Sequence, residues 1–247
     1  MRRTLLITAG VLVVAAGHVG AVPSVPLGGS TLNLTAQFVT NGLGQQMDCP
    51  PGAIECFVQT ANAAVPGLGH TTLNSTLLVE QGPGSCPPGE LSGTLAAGGD
   101  TVSFSGTTDC VPAQGTATFQ YSITSGSGHL AGASGSGHLD YSFASDTTAR
   151  YSWNGTLAVP GYSFDTTPPV FSGIHKRLTR VGRRAKRARV RYAVAASDDV
   201  DGAVSATCRP ASGSWFRLGA TAVHCSASDA HANVARASFR VIVKRKS

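Results

Sequence analysis

Residues 115–143 read GTATFQYSITSGSGHLAGASGSGHLDYSF, and the fold turns on them. In the first third, Ala117, Phe119, Tyr121 and Ile123 take every second position, with Thr, Gln and Ser between them. In the last third, Leu139, Tyr141 and Phe143 alternate with His138, Asp140 and Ser142. A period of two with one polar face describes a half-buried antiparallel strand. Between these strands SGSGHL is written twice, nine residues apart, and sets His129 and His138 in matching positions. Three readings compete for that middle: a phosphate loop, a two-histidine metal site and a strand connection. A phosphate loop needs glycines that lead from a strand into a helix N-terminus. The full G-x-G-x-x-G spacing, a following helix and Gly-Lys-Ser/Thr are all missing. Zinc takes three or four protein ligands, and no neighbouring Cys, His or Glu completes the pair. Parity puts both imidazoles on the polar side. The expectation is a Gly-rich hairpin or bend with His129 and His138 facing water; in a hairpin centred on Ala133–Ser134 the two would sit across from each other.

The same alternation recurs outward. STLNLTAQF offers Leu32, Leu34, Ala36 and Phe38, TVSF offers Val102 and Phe104, and ARYSW offers Ala149, Tyr151 and Trp153. Eight or nine such segments in about 130 residues suit a closed barrel or a sandwich. Closure also removes exposed strand edges. Residues 121–143 resemble the Gly-rich signature of the eight-stranded barrels of dirigent proteins and allene oxide cyclases. That resemblance implies a barrel; no catalytic residue of those families has a counterpart here.

The first residues are MRRTLLITAGVLVVAAGHVGAVPS. Arg2 and Arg3 precede an apolar run from Leu5 to Ala16, and Val19-Gly20-Ala21 supplies small residues for cleavage. Residues 1–21 therefore read as a secretory signal peptide. The apolar run is short of the roughly 20 residues that span a bilayer. Export is expected, to the extracellular space or the cell surface, with no transmembrane segment in the mature chain. Only 13% of residues are charged, and the apolar ones come in short runs broken by Gly and Pro, an all-β signature. Six cysteines, an even number, favour disulfides in an exported chain. Three pairings are open to Cys49, Cys56, Cys86 and Cys110; 49–56 with 86–110 is preferred. Cys208 and Cys225 most simply pair together.

Net charge splits the chain. Residues 22–164 carry one basic residue, Arg150, against eight acids, and residues 165–247 carry sixteen basic residues against five acids. So sharp a change argues for two units, an acidic barrel-like domain over 22–164 and a basic one over 165–247, joined near Pro168-Pro169. The basic unit holds KRLTRVGRRAKRARVR, residues 176–191, with nine cations and no acid: Lys176, Arg177, Arg180, Arg183, Arg184, Lys186, Arg187, Arg189 and Arg191. The plain reading is a solvated strand pair and loop. The sharper one is a contact for polyanions, or for the acidic unit itself. No aromatic interleaves the strip, so base stacking is not expected, and specific nucleic-acid recognition is not expected either.

The second unit resembles a hyalin-repeat (HYR) domain. The matching landmarks are Asp165 with Pro168-Pro169, the turn from Asp198 to Gly202, Cys208, Ser212-Gly213-Ser214 before Phe216, Gly219 with Thr221, Val223 and Cys225, then Asp229 and Asn233, and the closing strand Ser238 to Val243. One departure is His231-Ala232-Asn233, where the family usually has glycine before the asparagine. The resemblance implies an immunoglobulin-like sandwich and an extracellular binding or adhesion module without catalysis. Asp198, Asp199, Asp201, Asp229 and Asn233 could gather oxygen ligands for calcium. The spacing is not an EF-hand, and Asp and Asn also form turns, so no metal and no cofactor is expected.

The sequence thus points to an all-β chain, an N-terminal antiparallel β-barrel-like domain followed by a C-terminal immunoglobulin-like β-sandwich. The expected function is a secreted or cell-surface, non-enzymatic interaction or adhesion module. Its partner would be an extracellular protein, an anionic polysaccharide or a cell-wall polymer. The competing reading is a small-molecule-binding or isomerase-like enzyme with a pocket in the barrel. That reading needs a hollow interior with inward Asp, Glu, His or Tyr, and fails if Phe104, Phe119, Tyr121 and Trp153 fill the space. No Gly-x-Ser-x-Gly or His-Glu-x-x-His motif occurs.

Overall fold

A computed structural model describes residues 31–45, 49–82, 86–145, 147–175, 177–182 and 186–245. The expected signal peptide, residues 1–21, and the expected polyanion contacts Lys176, Arg183 and Arg184 lie outside the described residues. The alternating segments become β1 (Thr31–Gln45), β2 (Ala53–Val65), β3 (Gly69–Glu80), β4 (Gly89–Ala97), β5 (Asp100–Thr108), β6 (Thr116–Gly126), β7 (Ser136–Ser145) and β8 (Thr148–Ala158). Each pairs antiparallel with the next, and β1 returns to β8, closing an eight-stranded barrel. The expected parity holds: Leu32, Leu34, Ala36, Phe38, Ala117, Phe119, Tyr121, Leu139, Tyr141, Tyr151 and Trp153 are all buried.

The barrel is filled by these side chains. The Trp153 ring lies 4.7 Å from both Phe104 and Tyr121, and Tyr141 lies 5.1 Å from Tyr151. Truncating such a ring to alanine costs about 3–5 kcal/mol. A short polar string runs through the same interior. Gln59 Nε2 donates to the Tyr141 hydroxyl at 3.2 Å, the Tyr151 hydroxyl donates to Gln59 Oε1, and Ser75 Oγ lies 2.9 Å from the Tyr151 hydroxyl. Burial pushes the ionisation of Tyr141 and Tyr151 well above the ordinary phenol range, and that of Tyr121 up to about 12. Small residues make room for the rings. Gly137 faces Gly155 across β7 and β8, and a Cβ on Gly155 would fall inside 3.0 Å of the Tyr121 hydroxyl, the Ser136 carbonyl and Gly137 Cα.

The SGSGHL repeat is not a hairpin with facing histidines. β6 ends at Gly126, a 3-10 turn takes up Gly128–Leu130, and β7 starts only at Ser136. The β6–β7 register runs unbroken from Thr116 opposite Ser142 to Ser122 opposite Ser136, which centres the turn on His129 rather than on Ala133–Ser134 and sets His138 opposite Gln120. Within the turn Leu130 and Ala133 are buried. Gly128 (φ 58°) and Gly132 (φ 77°) supply the left-handed backbone for the excursion. His138 stands in β7 between Gln120 and Asn154. His129 sits in the turn, where its backbone N–H and Nδ1 meet the two carboxylate oxygens of Asp100 at 3.2 and 3.0 Å. Both histidines are exposed, as expected.

Phe164 is the last side chain in the barrel core. Beyond it come β9 (Val170–Ser172), β10 (Arg177–Gly182), β11 (Arg187–Arg189), β12 (Ala195–Asp198), β13 (Gly202–Val204), β14 (Ala206–Arg209), β15 (Trp215–Arg217), β16 (Gly219–Ser228) and β17 (Val234–Arg245). They form the sheets β10-β17-β16-β14, β13-β12-β9 and β11-β15. These enclose a second core of Val190, Phe216, Val223, Cys225, Phe239, Val241 and Val243, the arrangement of an immunoglobulin-like sandwich. Val190, Tyr192 and Val194 keep their alternation in burial but lie outside the ladders. Tyr192 instead takes Ser212 Oγ on its backbone N–H at 2.9 Å and donates its hydroxyl to the Pro210 carbonyl. Disulfides join Cys49–Cys56, Cys86–Cys110 and Cys208–Cys225. The last links residues that face each other across β14 and β16. At the His231-Ala232-Asn233 departure, Ala232 adopts φ 63°, the left-handed backbone a glycine would take freely.

Candidate functional site

Two charged regions of the C-terminal unit stand out. The first grows from the basic strip. β10 runs parallel to β17 with Arg177 beside Arg240, and β11 runs antiparallel to β15 with Arg187 opposite Arg217 and Arg189 opposite Trp215. Sheet pairing therefore adds cations from distant positions to the strip. Arg180, Lys186, Arg187, Arg189, Arg191, Arg217, Arg240 and Lys244 are exposed, and among the described residues none of them pairs with a carboxylate. Like charges directly opposite on a ladder destabilise it, so the Arg187–Arg217 pairing works against the β11–β15 ladder. The Arg189 Nε–H donates to the Gly213 carbonyl at 2.8 Å, which holds that side chain in place. The Arg187 guanidinium lies 5.3 Å from the ring centre of Trp215, which is 59% exposed. No aromatic interleaves the strip itself, but β15 brings Trp215 beside it from outside, and linear inspection of residues 176–191 could not reveal that partner strand.

The second region is acidic and sits where the two units meet. Asp165 follows the barrel, Asp198 and Asp201 flank the turn from β12 to β13, and Asp229 follows β16. One carboxylate oxygen from each of the four lies within 4.8 Å of the others. Asp165, Asp198 and Asp229 are buried. Two like charges at 4.8 Å repel by about 3.5 kcal/mol at an effective dielectric of about 20. Local backbone fixes the carboxylates. Asp198 Oδ1 accepts the N–H groups of Val200 and Asp201 at 2.9 and 3.1 Å. Asp165 Oδ1 accepts the Thr167 N–H and hydroxyl at 3.0 and 2.8 Å. Asp229 takes the Asn233 backbone N–H and side-chain amide at 2.8 and 2.9 Å. His231 Nδ1 stands 3.3 Å from an oxygen of Asp165 and of Asp201. Asp199, grouped with these by sequence, lies outside the cluster, 2.6 Å from the Thr167 hydroxyl, and competes with Asp165 Oδ1 for that hydroxyl's single proton. Asp165 was legible only as a landmark, because its proximity to Asp198 is tertiary.

The same junction docks the units on each other. The Gly67 N–H, in the turn from β2 to β3, donates to the His231 carbonyl at 2.8 Å. The Asn233 amide donates to the Asp165 carbonyl at 3.0 Å. A shallow groove beside this contact is lined by His70, Asp100, Leu130, Tyr162 and His231, so the Gly-Ser excursion borders the joint.

The barrel offers less to a substrate. Phe104, Phe119, Tyr121 and Trp153 occupy its interior. Its buried polar side chains among the described residues are Thr40, Gln59, Thr71 and Ser75, beside the tyrosines, with no buried Asp, Glu or His.

Residues 164–243 match the family model of the HYR domain. The C-terminal part of the chain is therefore similar to a HYR domain, which suggests an adhesion-type extracellular module. No curated protein and no solved structure matches the chain. The three disulfides fit an extracellular location. Among the described residues no helix is long and apolar enough to cross a membrane.

Proposed function

We propose that this protein is a secreted or cell-surface, non-enzymatic interaction protein whose HYR-like domain contacts anionic polysaccharide or cell-wall polymer through its basic face. The observation that carries this reading is the exposed Arg187–Arg217 pair beside Trp215 and Arg189. A sulfate, phosphate or carboxylate between the two guanidiniums relieves their repulsion, and Arg offers planar, bidentate donors to such groups. The half-exposed indole adds an apolar platform of the kind a sugar ring packs on. The acidic barrel repels the same polymer and so orients the molecule with its C-terminal unit toward the surface. The packed barrel interior argues against the competing pocket enzyme.

The test is binding of the full chain to an immobilised anionic polysaccharide. The combined Arg187→Ala, Arg189→Ala and Arg217→Ala variant is expected to bind at least about tenfold more weakly, since each exposed ion contact contributes modestly. Arg150→Ala, on the acidic barrel, is expected to bind as the parent does. Equal loss from both variants would remove the basic face from consideration.

A further inference from the structure

We infer that the acidic cluster at the junction is a calcium site, with Asp165, Asp198, Asp201 and Asp229 as its carboxylate ligands. Acidic residues alone would not carry this, because aspartates gather in turns for backbone reasons. A second observation does. Asp165 and Asp198 are 6% and 8% exposed, and the Oδ2 atom of each is buried without a hydrogen-bond donor. The other oxygen of each is saturated by backbone N–H groups or a hydroxyl. Each carboxylate is thus clamped at one oxygen and leaves the other without a hydrogen bond, in a cluster whose members each bring one oxygen within 4.8 Å of the rest. A buried, unpaired, charged oxygen is among the costliest groups to leave unsatisfied. His231 Nδ1 lies 3.3 Å from Asp165 Oδ2 as an ion-pair contact and makes its hydrogen bond to Asp201 instead.

The donor set selects the ion. Four hard carboxylate oxygens suit calcium, which takes six to eight oxygen ligands in flexible geometry. Zinc prefers nitrogen and sulfur with few ligands, and His231 is the single nitrogen donor in the two clusters here. The ligands come from the segment after the barrel, the β12–β13 turn and the β16–β17 turn. The last of these also receives the barrel's Gly67 N–H. An ion held there ties three segments of the HYR-like domain together at the point where the barrel docks. Calcium therefore acts as a structural clasp on the joint. This site is separate from the basic face and does not rest on polymer binding.

The experiment uses the full chain, stripped with a chelator and titrated calorimetrically with calcium chloride. One calcium per chain is expected, with a dissociation constant of about 10⁻⁵ to 10⁻³ M, the span from sensor-like to extracellular sites. The HYR-like domain's unfolding temperature should rise with calcium and fall back with chelator. Asp198→Asn keeps the shape, removes one charge from a repelling cluster, and should bind calcium at least about tenfold more weakly. Its calcium-free form should melt no lower than the calcium-free parent, which separates lost binding from lost folding. Asp199→Asn, outside the cluster, should bind as the parent does. No heat and no thermal shift at millimolar calcium in the parent would overturn the inference. So would an unfolding shift with zinc alone that His231→Ala abolishes.

Discussion

Replacing Gly155 with alanine probes the packed barrel more sharply than truncating any of its rings. In a strand interior alanine is ordinarily favoured over glycine by about 0.5–1 kcal/mol. The structure reverses that sign. A Cβ at position 155 would crowd the Tyr121 hydroxyl, the Ser136 carbonyl and Gly137 Cα, all inside 3.0 Å. Ser136 and Gly137 belong to β7, whose ladder to β8 fixes their position. Tyr121 is 3% exposed and lies against Trp153 at 4.7 Å, so it has little space to swing into. Overpacking of this kind costs about 1–3 kcal/mol, and the net expectation for Gly155→Ala is a loss of about 1–2 kcal/mol. At roughly 2–4 °C per kcal/mol for a chain of this size, the melting temperature falls by about 2–8 °C. Near-ultraviolet circular dichroism of the buried Trp153 follows the barrel directly. Tyr121→Phe removes a hydroxyl that is buried without a partner, so that change alone is expected to be neutral or stabilising by up to about 1 kcal/mol. Together the two substitutions should destabilise less than their sum, with a coupling of about 1 kcal/mol. The Ser136 carbonyl remains in the way, so rescue is partial. A Gly155→Ala protein as stable as the parent would refute the close approach of β7 and β8. Strict additivity would refute the placement of the Tyr121 hydroxyl over Gly155.

Three further outcomes follow from the same structure. The Cys208–Cys225 bond closes an 18-residue loop, and replacing both residues with alanine should cost the HYR-like domain about 3 kcal/mol in denaturant unfolding. Ala232 sits at φ 63°, so Ala232→Gly should stabilise the HYR-like domain by about 1 kcal/mol, read as a higher denaturant midpoint. Tyr121 is pushed up to about 12 by burial, and Tyr141 and Tyr151 are raised in the same direction. The unfolded chain then loses these protons first. Barrel stability should be full below pH about 10, the ordinary phenol value, and fall as pH climbs toward 12 and beyond. Ultraviolet absorbance of phenolate should show these tyrosines ionising only as the barrel unfolds.

Much of the barrel could be read from parity, because Phe119, Tyr121, Leu139, Tyr141, Tyr151 and Trp153 alternate with polar residues on exposed faces. β2 and β3 were harder to see. Their buried positions include Gln59, Thr71 and Ser75, so the inward face is itself partly polar and the contrast fades. The histidine pairing failed for a different reason: burial of Leu130 and Ala133 belongs to a long turn centred on His129 itself, so His129 lies at the apex and His138 falls opposite Gln120. In the HYR-like domain the landmarks were legible as a pattern. The parallel pairing of β10 with β17, the arrival of Trp215 beside Arg187, and the meeting of Asp165 with Asp198 are tertiary. Each joins residues far apart in the chain, and local periodicity carries no trace of them.

The most direct test of the proposed role is the salt dependence of binding to an anionic polysaccharide, measured on the full chain from about 50 to about 500 mM sodium chloride. Contact through the Arg187, Arg189 and Arg217 face predicts a linear fall of log affinity with log salt, amounting to at least about 100-fold across that range. The triple alanine variant should show a shallower slope. An affinity that stays constant across the range would contradict an electrostatic contact through this face.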